Sequence, residues 1–150
     1  MQFFNPDFPD LIIKNEIEEK DIAVIHNYLT HSYWSENIPV ETVSNAIAHS
    51  LNFAVYHRND LIGFARAVTD YSTFAYVADV FILETYRGKG LSKWLMQTMV
   101  AHPQLRGLRR WVLATRDAHG LYEKVGFKSL AKPERWMEIH IPDIYKKKIS

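Results

Sequence analysis

The chain has no cysteine among its 150 residues. That excludes a disulfide scaffold, a zinc site with thiolate ligands and a cysteine nucleophile. It also has almost no net charge: 18 basic against 17 acidic residues leave +1, so bulk charge points to no nucleic-acid partner. No apolar run approaches the roughly 18 residues of a membrane-spanning helix. Met1 to Asp10 lacks a basic start leading into an apolar stretch, so no signal peptide and a soluble, cytoplasmic protein are expected. Repeats, linkers and low-complexity tracts are absent. The Lys146-Lys147-Lys148 run is too short to supply many phosphate contacts and reads as a solvated tail.

What remains is an ordinary globular composition, 47% hydrophobic and 23% charged, in a length that suits one domain, residues 1–150, around one core. Leu11 to Ile13 is an expected first strand. Asp21 to Leu29 places Ile22, Ile25 and Leu29 at helical spacing, and a second helix is expected after Pro39 with Val43, Ile47 and Leu51 on its inner face. Asn52–His57 and Leu61–Val68 flank the polar turn Arg58-Asn59-Asp60 and read as a hairpin. Ser72 to Leu83, rich in β-branched and aromatic residues, is a third strand. Leu91, Trp94, Leu95, Thr98 and Met99 share a helix face that Pro103 terminates. Arg110–Ala114 is a further strand, with Arg106, Arg109 and Arg110 in or beside a solvated turn. Asp117 is positioned to cap a short helix that Gly126 ends, and Arg135–Ile141 is an expected last strand. The order implies an α/β layered domain with a central mixed sheet.

The chemistry concentrates where the third strand runs through Asp79-Val80-Phe81-Ile82 into Arg87-Gly88-Lys89-Gly90-Leu91-Ser92 and a helix begins. A glycine-containing turn at a helix start aims several N–H groups and the positive end of the helix dipole at one point. Glycine also permits positive φ and close backbone approach. That is an anion site suited to a pyrophosphate, or simply a tight strand-to-helix turn. The P-loop spacing is absent, and Lys93 stands where a dinucleotide fingerprint needs its third glycine.

Arg87-x-x-Gly90-x-Ser92 resembles the coenzyme A loop of the GNAT superfamily of N-acetyltransferases, Arg/Gln-x-x-Gly-x-Gly/Ala, with Ser92 in place of a small apolar residue. Downstream, Ala118-His119-Gly120-Leu121-Tyr122-Glu123-Lys124-Val125-Gly126-Phe127 is similar to the family segment Ala-x-x-Leu-Tyr-x-x-x-Gly-Phe, although Thr115 stands where the family often has Asn. The order of elements from Leu11 to His140 also follows the family. The resemblance implies a GNAT-like acyl-CoA N-acyltransferase fold. It further implies acetyl-CoA as cosubstrate, no metal, and acetyl transfer to a primary amine of a small molecule or peptide by direct attack in a ternary complex.

In this resemblance Phe81 and Ile82 splay from the neighbouring strand to hold the pantetheine arm, and an N–H near Ile82 faces the developing oxyanion. Arg87, Gly88, Lys89, Gly90, Leu91 and Ser92 hold the pyrophosphate. Tyr122 meets the leaving thiolate, as a phenol within hydrogen-bond reach can do; otherwise it packs the short helix. Asp79 is either a general base or a structural partner for a cation such as Arg66, because a carboxylate among apolar residues must be paired or functional. Strand alternation puts it on the face of Val77 and Phe81. His119 is a rival base at helical spacing from Tyr122. Tyr33 and Trp34, with Glu36 nearby, stand where the family often walls the acceptor pocket. Oligomeric state is open, with a homodimer among the options. The competing function is a catalytically weak coenzyme A-binding sensor or partner-binding domain.

Overall fold

Strand alternation divides the apolar residues between the two faces of one sheet. In β3 (Leu51–His57), Phe53 and Val55 join one buried cluster, while Ala54 and Tyr56 join another. The first cluster is covered by α3 (Leu91–Val100) through Leu91, Trp94, Leu95, Met96 and Met99. The second is covered by α1 (Glu19–Thr30) through Ile25 and Leu29, and by α2 (Val40–Ala48) through Val43 and Ile47. Burying side chains such as Phe53 and Phe64 contributes roughly 1.5–3 kcal/mol each.

The computed structural model describes residues 1–146. The remaining elements are β1 (Gln2–Phe3), β2 (Leu11–Lys14), β4 (Asp60–Thr69), β5 (Phe74–Ile82), β6 (Arg110–Val112) and α4 (His119–Glu123), with 3-10 turns at Glu84–Tyr86, Pro103–Leu105 and Pro133–Arg135. The six strands lie in the order β1-β2-β3-β4-β5-β6. Neighbours are antiparallel except β5 and β6, which α3 connects in parallel. This is the expected mixed sheet flanked by helices. No helix among the described residues is long and apolar enough to cross a membrane.

Several expected boundaries shift for identifiable reasons. Leu51 does not extend α2: that helix ends at Ala48, and Leu51 opens β3. β5 begins at Phe74 because Asp70 captures the backbone N–H groups of Ser72, Thr73 and Phe74 in a turn. The Thr73 hydroxyl, followed by these amides, holds the Asp70 carboxyl well below the usual carboxylate range. Asp117 does not cap α4. Ala118 is the N-cap residue, and its N–H donates to Thr115 Oγ1 at 3.1 Å. Gly126 follows the helix end with φ +104°, as expected. The expected strand Arg135–Ile141 is absent: Pro133 starts a 3-10 turn through Arg135, and the following residues pair with no strand among the described residues. Lys147 and Lys148 of the terminal lysine run lie outside the described residues.

Candidate active site

The site begins with a defect in the β4–β5 ladder. Arg66 pairs with Ala78 and Phe64 with Phe81, so Ala65 faces two residues, Asp79 and Val80. This is a β-bulge, and Asp79 takes the extra turn with φ +55°. The bulge reverses the alternation beyond it. Val77 lies in the cluster under α3, whereas Phe81 lies in the cluster under α1 and α2. The expectation that Asp79 shares a face with both is therefore corrected, because period-two reasoning fails across an inserted residue.

Asp79 is engaged on both oxygens. Arg66 Nε donates to Oδ2 at 2.7 Å, and Trp34 Nε1 donates to Oδ1 at 2.9 Å. The pair is largely shielded, with the Asp79 side chain 9% and the Arg66 side chain 18% exposed. Ser50 Oγ accepts a further bond from Arg66 Nη1. The bulge thus delivers a carboxylate that anchors an aromatic ring from the chain between α1 and α2.

Past the bulge, β5 separates from β6. Their pairing covers only Phe74–Tyr76 against Arg110–Val112. The Leu83 N–H donates to Ile62 O at 2.8 Å. Alternation then directs the Phe81 amide and carbonyl to β4, and those of Ile82 to the open side. The Ile82 carbonyl there accepts from Arg87 Nε at 2.9 Å, while its N–H faces the split between the strands. Phe81 contributes its ring instead, stacked on Tyr28 at 4.0 Å and 9°.

The split ends at the glycine turn. Gly88 and Gly90 have φ +81° and +84°, and a Cβ at Gly88 would meet nothing within 4 Å. Gly90 is the N-cap of α3, with no side-chain cap. Among the described residues, no backbone carbonyl accepts from the N–H groups of residues 88–93. They are the unsatisfied donors of a helix N-terminus, fit to receive an anion. Leu91 is buried in the core, so only its backbone can serve; Ser92 is half-buried and Lys89 is exposed. Arg87 turns its guanidinium toward Ile82 O and the Tyr28 hydroxyl (2.8 Å from Nη2).

A cleft of about 660 Å³ opens beside the split. It gathers Asp79, Arg66, Tyr33, Trp34 and Tyr122, residues from four separate segments. Tyr33 and Trp34 meet edge to face at 5.1 Å. Tyr122 is buried, and desolvation, reinforced by Tyr33 and Asp117, pushes its phenol up to about 12. At ordinary pH it is a neutral donor. His119 is exposed and Glu36 lies outside the cleft lining.

The sequence did not single out Arg116, Glu138 or His140, which also line the cleft. The Arg116 guanidinium stacks 3.8 Å from the Tyr33 ring centre, and the Arg116 backbone N–H donates to the Tyr33 hydroxyl at 3.4 Å. Glu138 and His140 alternate on the segment read as a strand; that spacing was the available signal. No cluster of metal-binding side chains occurs among the described residues.

The family model for the GNAT acetyltransferases matches residues 14–127. A solved structure assigned to the GNAT family, from Xanthomonas campestris pv. campestris, is 43% identical, covers 93% of this chain and 99% of its own, and superposes with a TM-score of 0.89. The [ribosomal protein bS18]-alanine N-acetyltransferase of Haemophilus influenzae is 33% identical over 85 residues, covering 53% of this chain. The chain spans 56% of the length of that relative and 63% of the length of a Gibberella zeae relative named as an acetyltransferase. A Clostridium acetobutylicum acetyltransferase solved with acetyl-CoA is 16% identical, covers 87% of this chain and 96% of its own, and shares the fold at a TM-score of 0.66. With its mixed split sheet, glycine turn and matched family model, the chain belongs to the GNAT family of acetyltransferases.

Proposed function

We propose that the protein moves an acetyl group from acetyl-CoA to a primary amine of a small molecule or peptide, by direct attack within a ternary complex. The observation that carries this reading is the split between β5 and β6, which runs from the glycine turn past the Ile82 N–H into the cleft bearing Tyr122. The site's donors suit coenzyme A: the unpartnered N–H groups of residues 88–93 suit a pyrophosphate, and the open edge of β5 suits an amide-bearing arm laid down like a strand.

Acetyl-CoA supplies the acyl group as an activated thioester. The Ile82 N–H stabilises the negative charge on the carbonyl oxygen as the amine nitrogen bonds to the carbonyl carbon. Tyr122 donates its proton to the sulfur as the C–S bond breaks, and the phenolate regains the proton that the attacking nitrogen loses on becoming an amide. Tyr33 and Trp34 wall the acceptor. Asp79 accepts from Arg66 and Trp34, and its role in this reading is to hold those two side chains in place. The acceptor's extra proton then goes to solvent before attack, leaving a small neutral fraction, since an alkyl ammonium has a pKa near about 10.4.

The test is thiol release from acetyl-CoA across a panel of primary amines, with coenzyme A binding measured in parallel. The chain contributes no thiol of its own. Binding with amine-dependent release supports the proposal. Tight binding with no release for any amine would favour the sensor reading.

A further inference from the structure

The cleft is lined by two arginines, and the fold neutralises only one of them. Arg66 donates from Nε to Asp79 Oδ2 at 2.7 Å and from Nη1 to Ser50 Oγ at 3.1 Å. Arg116 stands differently. Its guanidinium lies 3.8 Å from the Tyr33 ring centre, and its backbone N–H donates to the Tyr33 hydroxyl, so one aromatic side chain holds both ends of the residue. Its one ion-pair partner among the described residues, Asp117 Oδ2, is 3.8 Å from Nη2, beyond hydrogen-bond distance. Stacking occupies the face of a guanidinium and leaves its N–H edge open. Among the described residues that edge donates to no acceptor. Arg116 is thus a charged fork of donors, fixed in place at the cleft and unsatisfied.

We infer that Arg116 binds a carboxylate of the acceptor, and that the acceptor is accordingly a free amino acid or another short amine bearing a carboxylate. The inference rests on the proposed acetyl transfer only for where the amine lies. The planar edge of a guanidinium matches the two oxygens of a carboxylate in a bidentate pair. The place is suitable too. Tyr33 and Asp117 are the groups whose nearness reinforces the raised phenol of Tyr122. The Arg116 guanidinium touches both, so it stands beside the hydroxyl proposed to meet the leaving sulfur. An amine attacking there has the fork within reach of a carboxylate only a few bonds away. The remaining charges favour an anionic group over a second cation. Asp79 is already matched by Arg66. Glu138, also in the lining, makes no hydrogen bond or ion pair among the described residues, so nothing aims it. An unheld side chain must be ordered before it binds, whereas a stacked guanidinium has already lost that freedom.

The experiment compares matched acids and amides: β-alanine with β-alaninamide, and phenylalanine with phenylalaninamide, with ethylenediamine as the dicationic probe. Each is measured twice, as KM in acetyl transfer and as calorimetric affinity in saturating coenzyme A. The acids should bind roughly tenfold or more tighter than their amides, the lower end for a hydrogen-bonded charge pair because Arg116 is 64% exposed. The less basic amine of an amide favours it on chemistry alone, so a preference for the acid reports recognition. Arg116→Gln should bring the acids down to the level of the amides, and Arg116→Lys should recover part of the difference, as a point charge without the fork. Rising salt should narrow the difference in the wild type. Should no amine be acetylated, the proposed transfer fails, while an Arg116-dependent preference in the binding measurement still upholds the carboxylate site. Equal affinity for acids and amides, or a preference that survives Arg116→Gln, would overturn the inference. So would tighter binding of ethylenediamine that is lost in Glu138→Gln, which would make the cleft a site for a second cation.

Discussion

Replacing Tyr122 with Phe separates chemistry from binding and from folding in one variant. The ring is buried, meets Phe127 at 6.0 Å and 72°, and is retained by Phe. Only the hydroxyl is lost, so stability should change by no more than about 0.5 kcal/mol. Burial raises the phenol to about 12, so it is protonated across the working range and able to give its proton to a leaving sulfur. Losing a positioned general acid costs about 100-fold or more, equivalent to about 2.7 kcal/mol of barrier. The expected result is therefore a kcat lower by two orders of magnitude or more, with coenzyme A affinity unchanged. The assay is thiol release under saturating acetyl-CoA and the best acceptor, with single turnovers confirming that chemistry limits the rate. The sign of the stability linkage adds a second check. The folded-state value lies above the 10.0 of a free tyrosine, so the neutral phenol's contribution is complete below pH 10 and disappears as pH rises toward about 12. Tyr122→Phe should remove that alkaline loss. A variant that turns over within twofold of the wild type when chemistry limits would refute the assignment and leave Tyr122 as a packing residue.

Gly90→Val should abolish measurable coenzyme A binding by calorimetry and lower stability by about 1–2 kcal/mol, because a β-branched residue is forced to φ +84° at the turn proposed to receive the pyrophosphate. Retained affinity in the folded variant would exclude the glycine turn as the pyrophosphate site. Asp79→Asn leaves the shielded Arg66 without its carboxylate; the expected loss is about 2–4 kcal/mol in denaturant unfolding, with a raised KM for the acceptor and an unaltered acidic limb of the pH–rate profile. A flattened limb would instead make Asp79 the base, whereas a limb that flattens only in His119→Gln would assign that role to His119. His102 is buried, accepts from the Gln104 N–H and faces Asn15 Oδ1, and burial lowers its pKa from 6.5. Its neutral form therefore supports the fold above pH 6.5, and Tm should fall as pH drops below that value; His102→Gln should flatten this dependence, and an identical slope in the variant would locate the titration elsewhere.

The family was legible in the sequence because its two motifs are local. The turn from Arg87 to Ser92 and the helix around Tyr122 each depend on residues a few positions apart, so glycine spacing and helical period reveal them without knowledge of the fold. Hairpin and helix order followed from the same short-range patterns, as the six-stranded sheet bears out. The tertiary structure decided what depends on register. One extra residue opposite Ala65 turned Asp79 out of its expected face and set it against Arg66 and Trp34, a change that alternation cannot reveal because the insertion exists only relative to β4. Residues 136–141 have a strand's composition, yet no neighbouring strand takes them up among the described residues. Composition measures preference, whereas a strand exists only when an edge is in reach. The cleft likewise unites Tyr33, Asp79, Arg116, Tyr122 and Glu138, residues dispersed over most of the chain. Their proximity follows from how the sheet splits and which helices cover it, and that is a property of packing rather than of any sequence window.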